Sequence, residues 1–345
     1  MRLFGRKGDV EDDGIAAFWA WWEGARPRID ALVAAGDAGG LAAELGPMVR
    51  AVHPDLVWEL APGKEAAHAL VVTAAGDAEL RPLAHRWARA APTGDLLWEF
   101  HPSRQASSRA QELTFEVGGV EVSVGKLVLG LRAPLGAARV DVAAHHPIFG
   151  ELDEDDRMEA ALLALDRVLG EDEVARWVGE ITAVTHQPID AVAAVHLPAV
   201  VADLASGYEE EQWALLEGQT ASGAPLVATA RHPLRPVDFP LFDQHVMVTL
   251  PYAHRDDTGL PAGESVEALS AFDERLAGLL AEPAAAAVLA VHLSAEGHRI
   301  VHVYADPDGD AADRLRELAA GWREGRARVD VTGDPAWSAV VPFVT

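Results

Sequence analysis

The alternation of apolar and polar residues is most regular in the last third of the chain. Residues 245–253 alternate with a period of two, which predicts a strand whose second face carries Met247 and Thr249. Residues 265–280 repeat apolar positions every three or four residues, which predicts an amphipathic helix. Two strands, a helix and a last strand are predicted over residues 288–293, 300–304, 311–322 and 328–331. This order, β-α-β-β-α-β, is that of the ferredoxin-like arrangement.

The earlier residues mix helices and strands without regular βαβ alternation, which favours an α+β fold. Helical spacing predicts a helix that starts at Asp12-Asp13, a second helix after Pro27 and, after a break at Gly39-Gly40, a third. Further helices are predicted over residues 79–89, 153–170 and 197–204. Strands are predicted over residues 56–60, 69–73, 96–101, 113–117, 120–124, 127–131, 140–144 and 177–185, and a hairpin over residues 213–220 and 225–230.

The chain of 345 residues is long enough for two domains. The polar segment 206–211 follows the end of a predicted helix and is the best candidate for a boundary. We therefore predict an N-terminal α+β domain over residues 1–205. The C-terminal domain, residues 206–345, is predicted to be a ferredoxin-like sandwich with a preceding β-hairpin.

The net charge of the chain limits the kinds of partner that it can bind. The chain has 28 Lys and Arg against 54 Asp and Glu, so its formal net charge is −26. Nucleic-acid binding requires basic patches that displace counterions from phosphates, so no nucleic-acid partner is predicted. The acidity favours solubility, and an acidic surface that mimics nucleic acid or docks on a basic protein stays an alternative. Abundant Ala, Gly, Arg and Pro beside few lysines is typical of a GC-rich bacterial genome.

The chain contains no cysteine, which excludes disulfides, thiolate catalysis and zinc fingers. The basic first residues are followed by an acidic segment, not by the apolar stretch of a signal peptide. The longest apolar run, Ala284–Leu293, is about half of a membrane span. We therefore expect a cytoplasmic protein with no export signal and no transmembrane helix.

Motifs of nucleophilic or nucleotide chemistry are absent. The sequence has no Gly-x-Ser-x-Gly, no P-loop and no GxGxxG. We accordingly predict no catalytic residue and no cofactor, although the presence of an enzymatic activity stays open.

The strongest candidate for chemistry is a pair of histidines in the C-terminal part. A hairpin turning around Gly297 is predicted to place His292 opposite His302. Both would share an uncovered face with Tyr304, while the other face packs against the helices. Two neutral imidazoles on facing strands can hold a metal, but no third ligand is evident. The alternative is that this face is covered by the preceding hairpin, the other domain or a second subunit.

Three other segments suggest chemistry but also have structural explanations. His145-His146 precedes the acidic run 151–156, which suggests a metal hydrolase, yet a helix N-terminus also favours carboxylates. Residues 306–310 resemble the start of a calcium loop, yet Ala311 stands where that loop needs glycine. The aromatic cluster Phe18–Trp22 can pack inside its own domain or dock on a partner.

Short motifs near the C-terminus add a resemblance to a known family. They are Gly259-Leu260-Pro261, Gly297 with Tyr304-Ala305-Asp306, and Asp334-Pro335-Ala336-Trp337. With these motifs, residues 210–345 resemble the domain-of-unknown-function family 695. That family is similar in architecture to the B-type regulator of ribonuclease E activity, which acts by binding an enzyme. The resemblance implies a ferredoxin-like fold and carries no catalytic residues over to this chain.

These observations together predict a non-catalytic protein-binding or regulatory module with a protein partner or a homodimer. The homodimer is expected because ferredoxin-like sheets commonly pair through their open face. The alternative is a metal-assisted hydrolase or a small-ligand-binding protein, with His292, His302 and Tyr304, or His145 and His146, at its site.

Overall fold

The computed structural model of the protein describes residues 7–93, 96–134, 136–208 and 210–343. The chain forms two compact units, Met1–Ala205 (unit 1) and Ser206–Thr345 (unit 2). Helices and strands occur in both, so the α+β class predicted from the sequence is confirmed. Among the described helices, none combines the length and apolarity that crossing a bilayer requires.

Unit 1 begins with helices packed on a small sheet. The elements are α1 (Lys7–Ala35), α2 (Ala38–Val52), β1 (Val57–Pro62), β2 (His68–Thr73), α3 (Arg81–Arg89) and β3 (Trp98–His101). Strand β2 lies in the centre, antiparallel to β1 and parallel to β3. The apolar sides of the helices and of this sheet form one core.

The aromatic cluster Phe18–Trp22 lies in that core. Phe18 and Trp22 are fully buried, and Trp19 is stacked on Trp87 with ring centroids 4.9 Å apart. The Trp19 indole nitrogen donates a hydrogen bond to the Trp87 carbonyl oxygen over 3.0 Å. The cluster therefore packs within unit 1, and the alternative of a partner-docking surface is wrong.

The predicted helix break at Pro27 is also wrong, and the break predicted at Gly39-Gly40 lies a few residues earlier, between the end of α1 at Ala35 and the start of α2 at Ala38. Helix α1 continues through Pro27 because Ala25 and Ile29, on either side, are both buried in the core, and their packing outweighs the hydrogen bond that proline loses. The two glycines lie in the first turn of α2, where the Asp37 side chain caps the helix by accepting from the Gly40 amide.

The second part of unit 1 contains a hairpin, a four-stranded sheet and three helices. The elements are β4 (Thr114–Val117), β5 (Val120–Ser123), β6 (Val128–Arg132), β7 (Val140–His145), α4 (Glu154–Leu169), α5 (Glu171–Trp177), β8 (Val178–Ala183), β9 (Val192–Ala193) and α6 (Leu197–Ala205). The sheet has the order β8-β7-β6-β9. Trp177 ends a helix, so the predicted strand begins one residue later than expected.

Unit 2 is built around one antiparallel sheet. Its elements are β10 (Gln212–Gln219), β11 (Pro225–His232), β12 (Gln244–Pro251), α7 (Glu264–Leu280), β13 (Ala287–Ala295), β14 (His298–Ala305), α8 (Ala311–Ala320) and β15 (Arg328–Gly333). The strands have the order β10-β11-β13-β14-β12-β15, and each neighbouring pair is antiparallel. The hairpin β10–β11 therefore extends the sheet sideways.

Both faces of the central strands in unit 2 are covered. Helices α7 and α8 pack on one face through Leu269, Phe272 and Leu315. On the other face lie segments of the same unit, with the apolar side chains of Leu234, Phe239, Phe242, Trp337, Val340 and Phe343. The alternative of a covered face therefore holds, with segments of unit 2 itself as the cover in place of the preceding hairpin, and a homodimer through an open face loses its basis. The cover comes from loops, whose packing leaves no periodic pattern in the sequence.

Candidate functional site

Two histidines and a tyrosine meet on the face of the unit 2 sheet opposite the helices. In the register between β12 and β14, His245 is paired with Tyr304, and Met247 with His302. Because side chains alternate along each strand, these four residues project to the same side. The structure thus brings His302 and Tyr304 together, as the alternation predicts.

His245 and His302 form a buried, hydrogen-bonded pair. Nε2 of His245 lies 2.9 Å from Nδ1 of His302, and the rings stack with centroids 5.1 Å apart. One nitrogen has to donate and the other to accept, so two imidazolium rings cannot share this contact. Burial, with the nearby His245, lowers the pKa of His302 to about 4. Burial also lowers the pKa of His245, against the raising influence of Asp334, so the pair is neutral at neutral pH.

Tyr304 connects this pair to the C-terminal segment. Its hydroxyl donates to Oδ2 of Asp334 over 2.6 Å, and its ring stacks on Trp337 with centroids 4.0 Å apart. Asp334 also accepts hydrogen bonds from the backbone amides of Ser338 and Ala339. Burial would raise the pKa of Asp334, but these three hydrogen bonds outweigh it and lower the pKa. The Asp334-Pro-Ala-Trp motif is thus a cap that fastens the segment to the sheet.

The cluster is closed from solvent by the segments that it holds. His245 is 6% exposed and His302 is 7% exposed. The facing nitrogens of the two rings bond to each other, and the Tyr304 hydroxyl bonds to Asp334, so these atoms do not point at a cavity. Among the described residues, no three or more His, Asp or Glu side chains are grouped as metal ligands would be. The arrangement packs the C-terminal segment against the sheet.

His292 is not part of this cluster, and its predicted pairing with His302 is wrong. Glu296 and Gly297 both have positive φ, of 49° and 80°, and form a tight turn that pairs Ala295 with His298. In this register His292 lies opposite Val301 on the helix-covered face.

There His292 Nδ1 is 2.6 Å from an Arg299 guanidinium nitrogen and 3.6 Å from an Asp273 carboxylate oxygen. The same register puts Val291 and Leu293 on the face opposite the helices, against the prediction, and an irregularity between Leu289 and Val291 keeps Leu289 on the helix side. A shift of one residue in the pairing exchanges the two faces of a strand. The predicted pairing was off by one residue, so it placed His292 on the wrong face.

Sequence reasoning missed His245, Asp334 and Trp337 as members of the cluster. His245 has the same parity as Met247 and Thr249, so the alternation of its strand could have found it. Asp334 and Trp337 were visible only as a family motif. Their contact with Tyr304 spans about thirty residues, and no local pattern predicts such a contact.

His145 and His146 point to different backbone partners. His145 Nδ1 lies 3.0 Å from the Val184 carbonyl oxygen. His146 accepts from the Ile148 amide and contacts the Ser123 carbonyl oxygen, so it caps a short turn. In the acidic run that follows, Asp153 accepts from the amide of residue 156 and caps α4. These contacts are those of turn and helix caps and do not bring the residues into a shared metal site.

The segment that resembles a calcium loop is a turn before α8. Asp306 is buried, and its carboxylate accepts from the Asp308 amide over 3.1 Å. Its carbonyl oxygen accepts from the Gly309 amide, and Asp310 occupies the N-cap position of the helix. The aspartates therefore shape a turn, the structural alternative recognised in the sequence.

A second polar cluster, which the sequence did not reveal, lies inside unit 1. Arg104 contacts three carboxylates, with nitrogen–oxygen distances of 3.3 Å to Glu59, 3.2 Å to Asp166 and 3.7 Å to Glu171. Arg167 binds Glu59 through two hydrogen bonds of 2.7 and 2.9 Å. Two arginines therefore face three carboxylates, the buried Asp166 and Glu171 and the partly exposed Glu59, so one negative charge is in excess.

The excess charge favours the protonated form of Asp166. Burial and the nearby Glu171 raise the pKa of Asp166 to about 7, against the lowering influence of Arg104 and Arg167. Glu171 in turn accepts hydrogen bonds from the Thr73 hydroxyl and from the backbone amide of Arg104. This buried network connects β1 and β2 to α4 and α5, so it holds the two parts of unit 1 together.

Asp166→Asn should flatten one part of the pH dependence of stability. A raised pKa means that the folded chain holds a proton that the unfolded chain releases, so the free energy of unfolding falls as pH rises from about 4 to about 7. The neutral amide does not titrate, so the variant loses this slope, at most about 4 kcal/mol in total. Urea unfolding of both proteins across this range measures it, and parallel curves would contradict the protonated state.

Unit 2 is thus an antiparallel sheet whose polar cluster is closed by its own C-terminal segment. Residues 226–344 match the family model of a family of unknown function, DUF695. The resemblance expected from the short motifs is thereby confirmed for the C-terminal part. Searches of curated proteins and of solved structures found no match to the chain.

Proposed function

We propose that this chain is a non-catalytic protein-binding or regulatory module, and that unit 2 carries its binding surface. The observation that carries the proposal is the apolar edge of the unit 2 sheet. On the outermost strand, β10, Trp213 is 39% exposed and Leu215 is 68% exposed. An edge strand presents unpaired backbone groups, and exposed apolar side chains beside them are typical of a place where another chain binds.

The closed cluster of His245, His302 and Tyr304 supports a binding role over catalysis. The histidines and tyrosine with candidate chemistry are buried and bonded to each other or to the C-terminal segment. We assign strands β12 to β15 with α7 and α8 to the ferredoxin-like arrangement, because the order β13-β14-β12-β15 is antiparallel throughout. The lack of cysteine supports a cytoplasmic location.

Native mass spectrometry tests this proposal. The tagged full chain would be isolated gently from the cells that make it, beside an unrelated acidic protein of similar net charge as a control for nonspecific attraction. We expect a complex of fixed stoichiometry with another protein that the control does not retain. A chain that carries instead a bound metal or small molecule, with no protein, would contradict the proposal and support the hydrolase or ligand-binding alternative.

A further inference from the structure

We propose that β10 binds an extended segment of a partner protein in which apolar residues alternate with Lys or Arg, and that this segment joins the unit 2 sheet as a further strand. The inference rests on the proposed function and names the chemistry of the partner. Its basis is the combination of an edge position, an exposed apolar side and neighbouring carboxylates on the same strand.

The free edge determines the conformation of the partner. Strand β10 pairs with β11 along its whole length, from Gln212 opposite His232 to Gln219 opposite Pro225. In the described part of the chain its other edge has no neighbour in the sheet. Alternate N–H and C=O groups of a strand point to each side, so half of the backbone of β10 can pair with an incoming extended chain.

The two sides of β10 differ in what covers them. Leu216 packs against the core cluster on the face opposite the helices. Leu215 is paired with Thr229, and Thr229 is paired with His292 on the helix-covered face. Since paired residues project to the same face, Leu215 lies on the helix side. The helices do not cover it there, and the largest exposed apolar surface of the strand is on this side. An added strand would cover Trp213 and Leu215 with its own apolar side chains.

Carboxylates flank this apolar surface. Glu217 alternates with Trp213 and Leu215 along β10, so these three project to the same side of the sheet. Glu211, just before the strand, lies on that side too, because the Trp213 indole nitrogen donates a hydrogen bond to its carboxylate over 2.8 Å. Glu217 is exposed, and Glu211, also exposed, is bridged by Arg231 over 3.0 Å. On this side of β10, two apolar side chains therefore lie between two carboxylates, with one arginine beside them. The chain as a whole carries a net charge of −26. Basic residues at alternate positions of the partner complement this pattern.

The same pattern disfavours a second copy of the chain as the occupant. A twofold antiparallel pairing that joins the two Leu215 residues puts Glu217 of one copy on the diagonal of Glu211 of the other, twice per interface. Like charges at that spacing destabilise paired strands, and each copy adds its own large negative charge. A basic segment removes this repulsion.

Selection from a library of short random peptides displayed on phage, with the immobilised full chain as bait, tests the inference. We expect the enriched peptides to alternate apolar residues with Lys or Arg. A synthetic copy of the best peptide should bind Leu215→Lys about tenfold more weakly than the unchanged chain, and more weakly as salt rises. Val266→Lys is the matched control, since Val266 is also an exposed apolar residue, 50% exposed, but belongs to α7 and not to the strand that binds. The peptide should bind this variant as tightly as it binds the unchanged chain.

Several results would overturn the inference. They are a library that yields no enriched peptide, enriched peptides without basic residues, and equal binding to Leu215→Lys and to the unchanged chain. A dimer of the chain in sedimentation that Leu215→Lys abolishes would identify a second copy as the occupant. A native protein complex that survives Leu215→Lys would leave the proposed function standing and remove only this inference, whereas the absence of any complex would remove the proposed function itself.

Discussion

Trp337→Ala should lower the free energy of unfolding of unit 2 by about 3–5 kcal/mol. The indole is 2% exposed, stacks on the Tyr304 ring and donates a hydrogen bond to the Phe242 carbonyl oxygen over 2.8 Å. Its removal leaves a cavity between the sheet and the C-terminal segment, together with an unpaired carbonyl group. Denaturant unfolding measures the loss, and hydrogen exchange of the β14 amides assigns it to unit 2.

Trp213→Ala is the matched control for this experiment. Trp213 is the same residue type in the same unit, but it is exposed and its indole nitrogen bonds only to the exposed Glu211. We expect a change below about 1 kcal/mol. Equal losses in the two variants would mean that the C-terminal segment is not held on the sheet by Trp337.

Arg104→Met should destabilise unit 1 by about 3–5 kcal/mol. Methionine keeps much of the buried volume but removes the positive charge that Glu59, Asp166 and Glu171 share. The remaining arginine of the cluster binds Glu59, so the two other carboxylates lose their closest cation. The free energy of unfolding, measured in denaturant at neutral pH, should fall by this amount.

A nearby arginine provides the comparison. Arg109 forms an ion pair with Glu112, but both side chains are more than half exposed. Solvent screens such a pair, so Arg109→Met should change stability by less than about 1 kcal/mol. If Arg104→Met were equally mild, the buried network would not be what joins the two parts of unit 1.

The periodic segments of the chain were the predictable part of the fold. The helix ending at Gly170 and the strands of unit 2 follow from apolar spacing and from turn residues, and the structure places them within a few residues of the expected bounds. A prediction failed where tertiary packing outweighed a local signal, as at Pro27, whose helix is maintained by the burial of Ile29.

The candidate site was predictable only in part. That His302 and Tyr304 share a face follows from their spacing of two residues. Which residue of the neighbouring strand faces them depends on the length of one turn, and that length puts His292 on the opposite face. The partners His245 and Asp334 come from distant segments, and so do Arg104 and Glu59 in unit 1.

The sequence by itself determined the α+β composition of the chain, its strong negative charge and which residues within one strand, such as His302 and Tyr304, share a face, because these depend on composition and on local spacing. Only the tertiary structure decided that the face with His302 is covered, that the aromatic cluster of α1 is internal, and that β10 is an exposed edge. Each of these depends on which distant segments pack together, and that choice is made by burial and charge pairing between segments far apart in the chain.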